Sequence, residues 1–122
     1  MQDNGRTRRV GEQIQRELAM LLQRDFKDPR VQWVTVSAVH VTRDFAHAKV
    51  FVTVLNKSED IKQELDILNQ AQRFFRHELG KRMRLRTIPQ LHFVYDESIE
   101  RGSKLTRLIE DAVEKDGSQS EQ

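Results

Sequence analysis

The sequence predicts an α+β domain of two layers, with helices covering one face of a small three-stranded mixed sheet. Three observations predict it. Apolar residues recur at helical spacing near the N-terminus, through the middle and near the C-terminus. Two β-branched stretches meet across the short connection Thr42-Arg43-Asp44-Phe45, as an antiparallel hairpin requires. A third alternating stretch follows the middle helix, so a helical crossover joins it to the second strand and favours a parallel pairing. The expected order is helix, strand, strand, kinked helix, strand, helix. Apolar stripes on helices and apolar faces on strands are both satisfied when the two layers pack together.

In the first helix Val10, Ile14, Leu18, Leu21 and Leu22 share one side, while Arg9, Glu12, Gln13, Arg16 and Gln23 fall elsewhere. Asn4 or Thr7 is expected to cap its start. Asp28-Pro29 ends it, because proline disfavours helical geometry in the residue before it. Val31 to Val41 forms the first strand, and its apolar parity slips near Ala38-Val39, as a bulge would cause. Ala46, Ala48, Val50, Val52 and Val54 then alternate with His47, Lys49, Phe51 and Thr53, so the second strand buries one face.

The middle helix keeps Ile61, Leu65, Leu68, Phe75, Leu79 and Met83 on one stripe, with Phe74 nearly opposite. A kink between Gln70 and Arg73 reconciles the two phases. Beyond Pro89, Leu91, Phe93 and Tyr95 alternate with His92 and Val94 in the third strand. A last helix from Ile99 to about Val113 is expected to turn Leu105, Leu108, Ile109 and Ala112 inward. With 122 residues the chain fits one domain, expected over residues 1–115, with a disordered polar tail at 116–122. No internal repeat is present.

Composition narrows the class. There is no cysteine, which removes disulfides and thiol catalysis and fits a reducing compartment. No apolar run nears the roughly 20 residues of a membrane span, and the N-terminus lacks the apolar stretch of a secretory signal. A cytoplasmic protein without membrane attachment is expected, and a monomer, since no exposed apolar stripe is foreseen.

Charge is segregated. From Gln72 to Arg86 there are six Lys/Arg against one acid, whereas from Asp96 to the end eight acids outweigh four bases. Arg73, His77, Lys81 and Arg84 follow one another at intervals of four, four and three, which on a regular helix puts them on one face. Such a ladder suits a phosphate backbone, with guanidinium groups gripping bidentately and lysine acting as a point charge. Arg73, Arg76, Lys81, Arg82, Arg84 and Arg86 are therefore the expected RNA-binding set. Arg6, Arg8 and Arg9 form a second basic cluster just before the first helix and are expected to add to the RNA-binding set.

Other chemistries find little support. The glycines, at positions 5, 11, 80, 102 and 117, supply no Gly-x-x-Gly loop of the kind KH modules use to clamp a backbone, and Phe51 is the lone candidate for base stacking on the sheet. His40, His47, His77 and His92 make no metal-ligand spacing, and no glycine-rich phosphate loop exists. No enzyme activity and no cofactor are expected. Trp33, Phe74 and Phe75 are assigned to the core.

Several ordered blocks resemble the bacterial ribosome-binding factor A family. They are Lys27-Asp28-Pro29-Arg30, Val36-Ser37 leading to Arg43-Asp44 and Ala48-Lys49-Val50, Leu79-Gly80-Lys81 with Met83-Arg84-Leu85-Arg86, then Pro89, Leu91, Phe93 and Asp96 to Gly102. The resemblance runs from about Arg6 to Val113. It implies a KH-like fold of the second type, in which a helix kink, usually at Ala-x-Gly, replaces the Gly-x-x-Gly loop. Here those positions read Ala71-Gln72-Arg73, with arginine where the glycine stands. The resemblance further implies binding to the free small ribosomal subunit near the ends of its 16S rRNA, late in assembly, aiding processing of the precursor's 5′ end and growth in the cold, without nuclease activity. Two other readings stay open: a small RNA-modifying or hydrolytic enzyme, and a protein-interaction module using the open sheet face around Lys49 and Phe51.

Overall fold

The computed structural model describes residues 5–31, 33–54 and 61–120. Helix α1 spans Gly5–Met20 and widens into a π-helical turn over Leu21–Asp25. Its stripe buries Ile14, Leu18 and Leu21 completely. Thr7 lies inside this helix and is buried, so it is not the cap; Asn4 falls outside the described residues. The α1 to β1 connection is held by Asp28, whose carboxylate accepts from the Arg30 backbone N–H (3.0 Å) and from its guanidinium (2.6 Å). The Arg30 side-chain bond, then the backbone bond, hold the Asp28 pKa down at about 2. The Lys27-Asp28-Pro29-Arg30 block is thus a structural clip.

Strand β1 (Val34–Val41) pairs antiparallel with β2 (His47–Val54), which pairs parallel with β3 (Gln90–Tyr95), giving a mixed sheet in the order β1-β2-β3. The register shifts between Val36 and Ala38, so Ser37 is the bulged residue, one position before the expected slip. The bulge is tied on two sides. Gln15 of α1 donates to the Ser37 carbonyl (3.1 Å), and the Ser37 hydroxyl reaches Asp96 Oδ2 at 2.6 Å. Polar groups freed by the bulge thereby join α1 and the end of β3.

Helix α2 (Ile61–Gln70) and helix α3 (Gln72–Arg82) are separated at Ala71, whose φ of −87° and ψ of 13° leave the helical region. The break sits on Ala71, and Arg73 occupies an ordinary, exposed helical position in α3, so arginine in place of glycine meets no backbone obstacle. Two amides flanking the break line the free edge of β3. Asn69 exchanges two hydrogen bonds with Phe93, and Gln72 Oε1 accepts from the Leu91 N–H. An edge strand's unpaired groups are satisfied this way without a fourth strand. The core between the helices and the sheet centres on Phe75, Leu68, Leu79, Val50, Leu91 and Phe93, with Phe26 packed on Phe75 at 4.9 Å between ring centroids.

Helix α4 (Ser98–Ser120) departs from expectation. Its backbone takes in residues 116–120, where the sequence reads as a solvated tail; residues 121 and 122 lie outside the described residues. Leu105, Leu108 and Ile109 are 59%, 66% and 54% exposed, not turned inward, and Ala112 is exposed too. The inner sheet face is already filled by α1, α2 and α3, which leaves no apolar surface there for α4. Trp33 also stays out of the core, at 47% exposure.

Candidate nucleic-acid interface

The helix carrying the basic residues ends sooner than its apolar stripe suggests. Met83 is extended (φ −122°, ψ 143°), and the chain runs without regular structure to Pro89. An extended segment alternates its sides. Met83 is buried and Leu85 half-buried, so Arg84 and Arg86 both face solvent. The four-member helical ladder is therefore corrected: Arg73, His77 and Lys81 share the exposed face of α3, while Arg84 belongs to the extended segment with Arg86.

The six cations of this region divide by their partners. Arg82 is a structural residue. Its guanidinium meets Asp25 at 3.1 Å, Glu78 at 3.5 Å and Glu17 at 3.8 Å, tying α3 to α1 and its π-turn with a third of the side chain exposed. Arg76 is half-buried, and its Nη2 donates to the Ile88 carbonyl at 2.8 Å, fastening the extended segment to α3. Both of these cations are thus engaged by protein groups within the fold, and Arg76 also lines the cleft beside α3. Lys81 is exposed and pairs with Glu78 at 3.1 Å; hydrogen bonding from Lys81, ahead of the Arg82 contribution, holds the Glu78 carboxyl below its ordinary range. Arg73, Arg84 and Arg86 are exposed and make no ion pair with any described residue.

Two clefts meet at Arg86. One, about 640 Å³, lies between α3 and the segment leading to β3 and is lined by Arg73, Arg76, His77, Arg86 and Ile88 among others. The second, about 600 Å³, lies between the hairpin turn and Leu85-Arg86-Thr87, with Arg6 on its rim. The N-terminal cluster thus reaches the α3 site through Arg6, whose guanidinium sits over the Phe45 ring at 5.1 Å. Arg8 and Arg9 are exposed on α1, and Arg9 Nε donates to the Gly5 carbonyl at 3.2 Å. Sequence reasoning missed Phe45, Thr87 and Gln90 here. Only the turn signature around Asp44 pointed toward the first, and nothing local marks the others.

The outer sheet face is open. His47 Nδ1 and His92 Nε2 lie 2.9 Å apart, and Lys49 Nζ stands 5.9 Å from the Phe51 ring centroid. Among the described residues no three His or carboxylate groups gather as a metal site. No helix among them is long and apolar enough to cross a membrane.

Fold and site together define a small α+β module with an arginine-lined face. A model of the ribosome-binding factor A family matches residues 6–109, and the chain belongs to that family. It is 56% identical over 117 residues to ribosome-binding factor A of Ectopseudomonas mendocina (strain ymp), covering 93% of this chain and 91% of that protein. Ribosome-binding factor A of Stutzerimonas stutzeri (strain A1501) is 53% identical over 120 residues, covering 96% and 93%. The crystal structure of ribosome-binding factor A from Thermus thermophilus superimposes with a TM-score of 0.67 at 29% identity, over 75% of this chain and 97% of that one. A Thermus thermophilus homology model fitted into the cryo-EM map of a 30S complex of that factor gives a TM-score of 0.63 at 30% identity, over 75% and 96%. The three-stranded mixed sheet with its broken middle helix is the KH-like fold of this family.

Proposed function

We propose that this chain is a non-catalytic ribosome assembly factor that binds the free small subunit through its 16S rRNA during late maturation. The observation that carries the reading is one cleft lined by Arg73 and Arg86, with Arg84 exposed two residues before Arg86 and all three without carboxylate partners among the described residues, in a chain of this family. Guanidinium groups spaced along a helix and an extended strand match phosphates and carry little base information, so the target is a folded RNA shape. Lys81, exposed beside them, adds a point charge when Glu78 releases it.

The mechanism is differential binding. A factor that binds one arrangement of an rRNA helix more tightly than the others raises that arrangement's population, by no more than the difference in affinity. Held in that arrangement, the 5′ end of the precursor is presented to a separate nuclease, and the benefit is largest in the cold, where misfolded RNA rearranges slowly. No side chain of this protein takes part in bond breaking.

Sedimentation of extract through sucrose gradients tests the reading. The protein is expected with free small subunits, absent from assembled ribosomes, and increasingly at the top as salt rises. Retention at the top in low salt would refute it. Purified protein incubated with precursor rRNA should leave it intact; cleavage would favour the enzymatic alternative. Loss of subunit association on changing Lys49 or Phe51, with the arginines intact, would favour a protein-interaction surface on the sheet.

A further inference from the structure

The notch beside Arg86 has a composition that a phosphate backbone alone does not require. It is lined by the apolar Phe45 and Leu85, the cations Arg6 and Arg86, and the carboxylate of Asp44. Phe45 is held at φ 58°, in the left-handed region where glycine or asparagine is the ordinary choice and a bulky side chain is rare. The turn fixes it there. The Phe45 N–H donates to the Thr42 carbonyl, and the Thr42 N–H to the His47 carbonyl, both at 2.9 Å. Non-glycine residues kept in such conformations gather at binding sites, where the geometry serves the ligand. The result is an aromatic ring, half-buried from below and faced by the Arg6 guanidinium, at the edge of an open cleft.

The charges are mixed. Asp44 Oδ1 accepts both the Thr42 hydroxyl (2.7 Å) and the Ala46 N–H (3.0 Å), and Oδ2 takes neither. Those two bonds, the Thr42 hydroxyl first, favour the ionised carboxylate. A carboxylate repels a phosphate, so the phosphate of any ligand belongs on the Arg6 and Arg86 side. Asp44 then faces the part of the ligand that donates hydrogen bonds. Adenine, cytosine and guanine carry an exocyclic amine that can do so. Uracil offers its one N–H between two carbonyl oxygens, which an ionised carboxylate repels.

We propose that this notch is a pocket for a single unstacked nucleotide, whose base takes the place of the Arg6 guanidinium against Phe45 and turns its amino group toward Asp44, while its phosphate is held by Arg86 and the displaced Arg6. The proposal rests on the RNA-binding reading above and deepens it by naming what the RNA must present. Because Arg86 lines both clefts, a strand whose phosphates follow Arg73 and His77 along α3 delivers its next nucleotide to the notch. A backbone-directed protein thereby gains one position of selectivity, for an unpaired, amine-bearing base flanking a helix.

Three RNA probes of equal length test it: a fully paired duplex, the same duplex with one unpaired adenosine, and the same with one unpaired uridine. At fixed salt the wild-type protein is expected to bind the adenosine probe roughly tenfold more tightly than the paired duplex, within the range of base–aromatic stacking, and the uridine probe less tightly than the adenosine probe, because Asp44 repels the uracil carbonyls. An unpaired 2-aminopurine should lose fluorescence on binding. Phe45→Leu keeps apolar bulk but not the ring and should lose most of the adenosine probe's advantage over the paired duplex, with affinity for the duplex retained. Should that variant fail to fold, Arg6→Gln replaces it: the pocket predicts a smaller ratio of adenosine-probe to duplex affinity, whereas loss of general charge alone weakens every probe alike, and an unchanged ratio would overturn the pocket. Equal wild-type binding of the three probes, with salt-sensitive affinity for each, would overturn the pocket and leave the phosphate reading standing. Absence of binding to any probe or to 16S rRNA would overturn both.

Discussion

Two glycines in helices should respond to alanine in opposite directions. Gly11 is buried where α1 crosses β1, and a Cβ there would lie 2.7 Å from the Val39 carbonyl oxygen and 3.6 Å from Val41 Cγ2. Ordinary carbon to oxygen approaches are about 3.3 Å or more, so α1 must lift by roughly half an ångström from backbone that cannot yield. The same helix buries Ile14, Leu18 and Leu21 completely, and lifting it loosens all three. Overpacking of this kind costs about 1 to 3 kcal/mol, and alanine returns about 1 kcal/mol of helix propensity. Because three fully buried side chains loosen together, the cost falls in the upper part of that range, about 2 to 3 kcal/mol, and the net expectation for Gly11→Ala is a loss of about 1 to 2 kcal/mol, a fall in Tm of several degrees. Gly80 sits in α3, exposed, and a Cβ there meets nothing nearer than Ile88 Cγ1 at 3.9 Å. Gly80→Ala keeps the propensity gain and should raise stability by up to about 1 kcal/mol. Thermal and urea unfolding followed by circular dichroism measure both. Shifts of the same sign, or a Gly11→Ala protein as stable as wild type, would refute the packing argument.

Further outcomes follow from the partners already described. Arg82→Ala breaks contacts to Glu17, Asp25 and Glu78 and should lower stability by roughly 1 kcal/mol, discounted for partial exposure, while leaving the salt dependence of RNA binding unchanged. Unfolding and binding measured on the same variant check both halves. Deleting residues 102–122 should change stability by only about 1 kcal/mol, because Leu105, Leu108, Ile109 and Val113 are each more than half exposed; a large fall in urea midpoint would contradict their exposure. The Ser37 hydroxyl, then Ser98, lower the Asp96 pKa, so the folded value lies below the unfolded value of about 3.9. That stabilisation is present above about pH 4 and is lost as pH falls through the folded value. The stability gap between wild type and Ser37→Ala should therefore narrow on acidification, and a gap constant from pH 7 to pH 2 would remove Asp96 from the explanation.

Much of the fold was legible because burial imposes period. The alternation from Ala48 to Val52 and the stripe through Ile14 and Leu18 each have a single geometric solution, and the phase conflict between Phe74 and Phe75 located the break that falls at Ala71. The end of α3 was not legible, since Leu79 and Met83 are four apart and fit a helix, while Met83 and Leu85 are two apart and fit an extended chain. Only the tertiary contact of the segment chooses. The outward face of α4 escaped for a related reason: periodicity reveals an apolar face but not whether surface remains to cover it. Within the site, counting charge located the region and could not sort it. Arg82 is neutralised by Asp25, 57 residues away, and Arg76 is held by a carbonyl of the neighbouring segment, neither of which local spacing reveals. Phe45 was hidden because its backbone conformation, not its residue type, makes it available.

In the proposed complex, exposed arginines on α3 and the segment after it hold the small subunit by its phosphates. That contact is tested most directly by the affinity of purified protein for purified small subunits across a salt series. Wild type should give a linear fall of log K with log salt, and Arg73→Ala combined with Arg84→Ala and Arg86→Ala should flatten the slope by about 2 to 3. A triple variant with the wild-type slope and affinity would place the interface elsewhere on the molecule.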